Sequence, residues 1–307
     1  MSPSTKGLLF AFGSAASLSV TFVASKKALN ELPPLGFATI WFALAALWGI
    51  LYYAQRSQSS EKVSLQLIKQ YWQPLCLLGG SNIIANYFFF RAIKLGDPTT
   101  VAFFSRSTTI FAFLMGVILL QERTNKPQWL GAAIAISGAG VMTYQGEGVI
   151  WQVMVLTLIA SFFLALSSYV AKRIIPYLTP LVLNIARTSI LATGLGVLAA
   201  LSGELTIPSG TALRWMIGVS FFGPFLSYLL FYRGLVTLDI SKAAIIRASQ
   251  PLFVAVYSLV LFGTVISQQQ MLGGGIILAG VSLMIGGQRL PTIRSLFSTN
   301  KKGVMQN

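Results

Sequence analysis

Three arginines, Arg106, Arg187 and Arg247, stand inside long apolar stretches of a 307-residue chain, and no acidic residue accompanies them there. A guanidinium presents five N–H donors in a planar fork that matches a carboxylate or a phosphate bidentately. Placed in hydrocarbon, a charge costs at least about 2.5–3.5 kcal/mol on insertion scales. Such a residue therefore faces a polar cavity, bonds to a neighbouring helix, or snorkels to the headgroups. The seven acidic residues (Glu31, Glu61, Asp97, Glu122, Glu147, Glu204 and Asp239) all fall in loops or at segment ends, and the chain has no histidine. The available chemistry is thus recognition of a negative group. No catalytic residue, metal set, cofactor or embedded proton relay is expected.

The arginines have polar company. Ser105, Ser107, Thr108 and Thr109 surround Arg106, and Ser249 and Gln250 follow Arg247. Helical spacing of three and four residues puts Thr109 beside Arg106 and Gln250 beside Arg247. Another apolar stretch carries Ser81, Asn82, Asn86 and Tyr87, and a later one carries Tyr228. The expected substrate-binding set is Arg106, Arg247, Arg187, Ser105, Thr109, Gln250, Asn82, Asn86, Tyr87 and Tyr228. Each has a structural alternative, because hydroxyls and amides also bond helices together in lipid and an aromatic run more often packs than binds.

These side chains need elements that cross a membrane. The chain is 55% hydrophobic and 9% charged, with a mean hydropathy of +0.73, whereas soluble domains carry about 25% charged residues. Ten apolar segments lie at roughly 7–28, 35–55, 71–94, 98–120, 127–144, 149–171, 180–201, 212–235, 241–262 and 268–286. About 20 residues at 1.5 Å each span a hydrocarbon core of roughly 30 Å. On these bounds Arg106 sits about 12 Å deep and the other two arginines about 9–10 Å deep. The net charge of +15 is scattered over short loops, which argues against a nucleic-acid partner. Cys76, the only cysteine, excludes an intrachain disulfide and is expected to be a small buried hydrophobe.

Residues 89–142 recur at 231–284 with a constant offset of 142 and no gap. Phe89, Arg91, Ala102, Ser107, Gly131 and Gly138 match Phe231, Arg233, Ala244, Ser249, Gly273 and Gly280, and Ser105 is the counterpart of Arg247. Fourteen Lys and Arg fall on one set of loops with the two termini, and five on the opposite set. By the positive-inside rule both termini are cytoplasmic. Five segments per half is an odd number, so the second half enters the membrane inverted. The expected fold is all-α and integral to the membrane: ten transmembrane helices in two inverted five-helix repeats, residues 6–144 and 149–287, with a basic cytoplasmic tail at 288–307.

Local readings complete the expectation. Asp97 and Asp239 are expected to cap helix starts and to lock with Arg91 and Arg233. Glu122 and Arg123 are expected to close the fourth segment. Gly79-Gly80 and Gly223-Pro224 are read either as hinges or as packing sites, and the glycines of the fifth and tenth segments as points of close helix approach.

Leu119-Leu-Gln-Glu-Arg123, Pro127-Gln-Trp-Leu-Gly-Ala-Ala-Ile134, Ser137-Gly-Ala-Gly-Val141 and Leu272-Gly-Gly-Gly-Ile-Ile-Leu-Ala-Gly-Val281 together resemble the EamA branch of the drug/metabolite transporter superfamily. Thr264 stands where that pattern has a second glutamate. The resemblance implies export or exchange of small metabolites across a bacterial inner membrane. Joined to the arginines, it leads to the expectation of an anionic or zwitterionic substrate (amino acid, organic acid or phosphate ester) moved by alternating access. An exporter of apolar or cationic compounds, a channel and a membrane-embedded enzyme stand as alternatives. A small molecule and the lipid bilayer are the expected partners, and association of two copies stays open.

Overall fold

The structure is a computed structural model describing residues 3–24, 32–56, 69–95, 101, 104–143, 151–262 and 268–286. Those residues form helices and short connections, with no strand among them. In chain order the helices are α1 (Pro3–Ala24), α2 (Pro34–Arg56), α3 (Trp72–Leu95), α4 (Ser107–Leu119), α5 (Lys126–Thr143), α6 (Trp151–Ile174) and α7 (Pro180–Leu201). They continue as α8 (Gly210–Ser220), α9 (Tyr228–Thr237), α10 (Ile240–Arg247), α11 (Gln250–Phe262) and α12 (Gln268–Gly286). A π-helical stretch, Phe221–Ser227, joins α8 to α9. Among the described residues, four helical segments are long and apolar enough to cross a membrane: Pro34–Gln55, Trp151–Ile174, Pro180–Leu201 and the continuous Gly210–Thr237. The protein is an integral, multi-pass membrane protein.

Sequence cues set several boundaries. Pro180 opens α7, and the Thr179 hydroxyl accepts from Val182 N. Ser209 caps α8 in the same way by accepting from Ala212 N at 3.1 Å. Both caps satisfy donors that a helix start leaves without a partner.

The pairing of helices follows the repeat. α2 packs on α7 and α5 on α12, each element meeting its own counterpart, and α4 packs on α10, the first part of the segment that matches its own. The remaining pairs come in matched sets: α1 against α9 mirrors α6 against α3, and α4 against α6 mirrors α1 against α10 and α11. The self-paired helices run in opposite directions. Leu35, at the start of α2, donates its N–H to Glu204 just beyond α7, at 3.3 Å. Gly131 lies against Gly280 and Met284, while Gly138 lies against Gly273 and Ile277. Counterparts that meet antiparallel require a two-fold axis lying across the helices, so the two halves are inverted relative to one another.

Some expected boundaries and contacts are different. The fourth and ninth apolar segments are each interrupted, and the eighth widens into the π stretch around Pro224. Pro224 has no N–H to continue the ladder, which is the physical reason for the widening. Gly79-Gly80 leaves α3 unbroken; a Cβ at Gly79 would strike Ile190 of α7, so that glycine serves packing. Cys76 is exposed near the start of α3 rather than buried. Asp97, Thr264 and residues 288–307 lie outside the described residues.

The largest correction concerns the carboxylates at the start of α10. Asp239 occupies the N-cap position without a side-chain cap bond, and it pairs with Lys242 instead of Arg233. Arg233 reaches the Tyr52 hydroxyl at 3.5 Å. The cap comes from the other half. Glu122, expected to close its own helix, accepts from Ile240 N at 2.6 Å and Ser241 N at 3.0 Å. Gln121 adopts φ +53 just beyond α4, and that left-handed residue turns Glu122 toward α10. Gly116 makes room, since a Cβ there would lie 2.6 Å from Ile240 Cγ2 and 3.0 Å from Ser241 N. A carboxylate on two N–H groups at a helix start combines charge-assisted hydrogen bonding with the helix dipole. Glu122→Gln is therefore expected to cost about 1–2 kcal/mol and lower the melting temperature by a few degrees. Hydrogen exchange at Ile240 and Ser241 should quicken in the same variant.

Candidate functional site

The two interrupted segments break at equivalent places. Arg106 sits in the turn before α4 with φ −62 and ψ −21. Ala248, its counterpart at the repeat offset, lies between α10 and α11 with φ −62 and ψ −18. Both turns are tightened by short-range bonds: Thr109 N donates to Arg106 O at 3.0 Å, and Ser249 N donates to Ile246 O at 3.1 Å. In the second half Pro251 has no N–H to give the Arg247 carbonyl. The first half lacks a proline there and has the run Ser105-Arg106-Ser107-Thr108-Thr109, whose hydroxyls compete for the backbone. Arg106 and Arg247 thus flank matched interruptions, close to where the two-fold axis must pass. Their charges lie within electrostatic reach of one another.

Tyr228 gathers two guanidiniums. The Arg187 Cζ lies 3.5 Å from the Tyr228 ring centroid and 5.6 Å from that of Phe42. The Arg247 Cζ lies 5.1 Å from the same Tyr228 ring and 4.6 Å from Phe231. The negative faces of the rings attract both cations, which offsets part of their mutual repulsion. Arg187 is only 1% exposed, so it does not snorkel. Its Nη1 donates to Asn184 Oδ1 at 3.5 Å, and its buried Nε has no partner. Asn184 in turn donates to Phe225 O at 2.9 Å, inside the π stretch. The widened backbone, the buried arginine and the stacked tyrosine therefore form one connected unit. Arg247 and Arg106 are half-buried, which leaves them the accessible members of the cluster.

The other expected residues divide into two groups. Ser105 and Thr109 are half-buried at the first break. Gln250 opens α11 at the second, buried, with an amide nitrogen that has no partner and a backbone carbonyl that accepts from Ser19 Oγ at 3.0 Å. The α3 residues are engaged elsewhere. Asn82 is buried and its amide bonds Leu78 O and the Ser167 hydroxyl of α6. Asn86 donates to Asn82 O at 2.8 Å, and Tyr87 lies beneath Arg91. Tyr87 packs against the core cluster that contains Phe42.

Asn184, Phe42, Phe231 and Tyr232 join the cluster without having been expected there. Asn184 had a legible signal, a lone amide three residues before an arginine in apolar sequence. Phe42 had none, since only the packing of α2 on α7 brings it in. The described acids are engaged elsewhere: Glu122 and Asp239 at the start of α10, and Glu204 at the start of α2. The cluster is net positive and suited to holding a carboxylate or phosphate.

Comparisons with known proteins agree with this architecture. Residues 5–144 and again 151–286 match the EamA-like transporter family. A Salmonella typhimurium protein named "Probable amino-acid metabolite efflux pump" is 26% identical over 290 residues, covering 88% of this chain and 92% of its own length. An Escherichia coli protein of the same name is 30% identical over 165 residues, about half of each chain. A solved crystal structure at 17% identity superposes with a TM-score of 0.80 over 93% of this chain and 99% of its own, which is a likeness of fold.

Proposed function

This chain belongs to the EamA-like transporter family, and we propose that it exports a small metabolite bearing a carboxylate or phosphate across a bacterial inner membrane. The observation that carries the reading is the pair Arg187 and Arg247 stacked on Tyr228, with Arg106 within electrostatic reach of Arg247 at the matched helix interruption. The accessible forks of Arg247 and Arg106 receive the anion, and Arg187, held behind Tyr228, adds its field. Relatives named as amino-acid metabolite efflux pumps support a substrate derived from amino acids.

In this reading ten helices span the bilayer, with α8–α9 and α10–α11 each counting as one crossing and both termini cytoplasmic. The halves rock about the shared site in alternating access. Export needs no proton relay, because a monoanion leaving an inside-negative cell gains about 2.3 kcal/mol per 100 mV. Liposomes holding the purified protein and loaded with labelled N-acetylalanine should show counterflow without a pH gradient. An imposed inside-negative potential should accelerate efflux. Flux that strictly requires a pH gradient, or that is matched by a cationic analogue, would overturn the proposal.

A further inference from the structure

Two charged side chains outside the arginine cluster hold one helix junction between them. We propose that Lys172 and Glu122 form a clasp that keeps the cytoplasmic end of the protein shut, and that substrate enters from the cytoplasm only when it opens. The proposal rests on the orientation and the alternating access inferred above, and not on the chemistry of the substrate.

The junction is Leu238-Asp239, between α9 and α10. A helix end leaves carbonyls, and a helix start leaves N–H groups, without partners along the helix. Lys172, in the last turn of α6, donates to Leu235 O at 2.7 Å and to Leu238 O at 2.6 Å. Glu122, just beyond α4, accepts from Ile240 N and Ser241 N. A cation thus meets the negative end of α9, and an anion meets the positive end of α10. Lys172 and Glu122 also lie within electrostatic reach of one another.

The clasp crosses a division in the fold. α6 packs on α3 and α4, whereas α1 packs on α9, α10 and α11, so the two halves exchange their first helices. Rocking of these two groups parts α4 and α6 from α9 and α10. Next to the clasp, Leu78, Ala171 and Ile174 of one group share a buried core with Leu235, Ile240 and Ala243 of the other. Opening this end therefore breaks the four bonds and an apolar seal together. The repeat does not reproduce those bonds. At the offset of 142, Thr264 replaces Glu122, and Pro98, which has no N–H, replaces Ile240. The bonds thus favour closure of one face only.

The test reads opening directly and needs no substrate. Ala243 is 0% exposed, so Ala243→Cys in a Cys76→Ser background puts a single thiol in the seal. In inverted membrane vesicles, its rate of reaction with a membrane-impermeant methanethiosulfonate follows the fraction open to the cytoplasm. Glu122→Gln and Lys172→Met should each raise that rate about tenfold, because a charge-assisted bond made in one state only sets the ratio of the two. Glu204→Gln weakens the carboxylate bond between α7 and α2 at the opposite end, and it should leave the rate within twofold. Glu122→Gln keeps the side-chain shape and carries the test should Lys172→Met fail to fold. Unchanged rates in the clasp variants overturn the proposal, as does an equal rise in Glu204→Gln, which would mark general loosening. A rise seen only in right-side-out vesicles overturns the cytoplasmic placement, and the proposal with it. Labelling is independent of the anion: lost selectivity for anions leaves the clasp standing, and unchanged labelling leaves the arginine site standing.

Discussion

Arg247→Gln is expected to lower anion flux at least a hundredfold, with Arg106→Gln close behind. Truncating one member of a desolvated, charge-assisted pair costs about 2–5 kcal/mol, and about 2.7 kcal/mol already corresponds to a hundredfold. The fold should survive both changes. Arg247 is half-buried at the last residue of α10, and its ring neighbours Tyr228 and Phe231 keep their own packing within the aromatic cluster of α9. Arg247 also lies within electrostatic reach of Arg106, so removing either charge relieves repulsion. Arg247→Lys keeps the charge and loses the planar fork, and it should fall between the two extremes. Initial rates in proteoliposomes, read beside thermal unfolding of the same preparations, separate a binding loss from a folding loss. Unchanged flux in both glutamine variants would show the arginines to be structural.

Gly131→Leu is expected to abolish the folded protein. A Cβ at Gly131 would lie 2.6 Å from Gly280 O and 2.7 Å from Met284 N, both backbone atoms that cannot rotate away. From the other side, a Cβ at Gly280 would lie 2.6 Å from Gly131 O. α5 and α12 would have to separate along their whole contact, releasing Ala132, Ala135, Ala139, Ile277 and Val281 from one shared core. Overpacking a tight core typically costs 1–3 kcal/mol, and a wedge between two backbones lies at or beyond the upper end. Gly131→Ala should be milder and Gly275→Ala nearly neutral, because nothing lies within 4 Å of a Cβ built at Gly275. Monodispersity on size exclusion and the melting temperature of the three variants read the series.

The sequence makes the repeat legible, and the repeat makes part of the site legible. The offset of 142 sets Ser105 opposite Arg247, so Arg106 falls one position from its partner's counterpart. Two residues that near the same symmetry axis must be near each other. The glycine contacts of α5 and α12 follow from the same alignment. Contacts between helices that are not counterparts are invisible to it, because an offset says nothing of which faces meet. That is why the Asn184 bond to Phe225 emerges only in the structure, and Phe42 escapes as well because α2 and α7 lie outside the gapless stretches 89–142 and 231–284. Glu122 misleads for a different reason. In sequence it follows α4 and looks like that helix's own terminus, and only the left-handed Gln121 redirects it across to Ile240.

The pairing of helices also constrains biogenesis. α1 leans on α9 to α11, α2 on α7, α3 on α6 and α7, α4 on α6 and α10, and α5 on α12. In every case the principal neighbour belongs to the later-made half. The early helices therefore leave the insertion machinery with their mating surfaces bare, and the nascent chain cannot seal α5 until residues 268–286 have been translated.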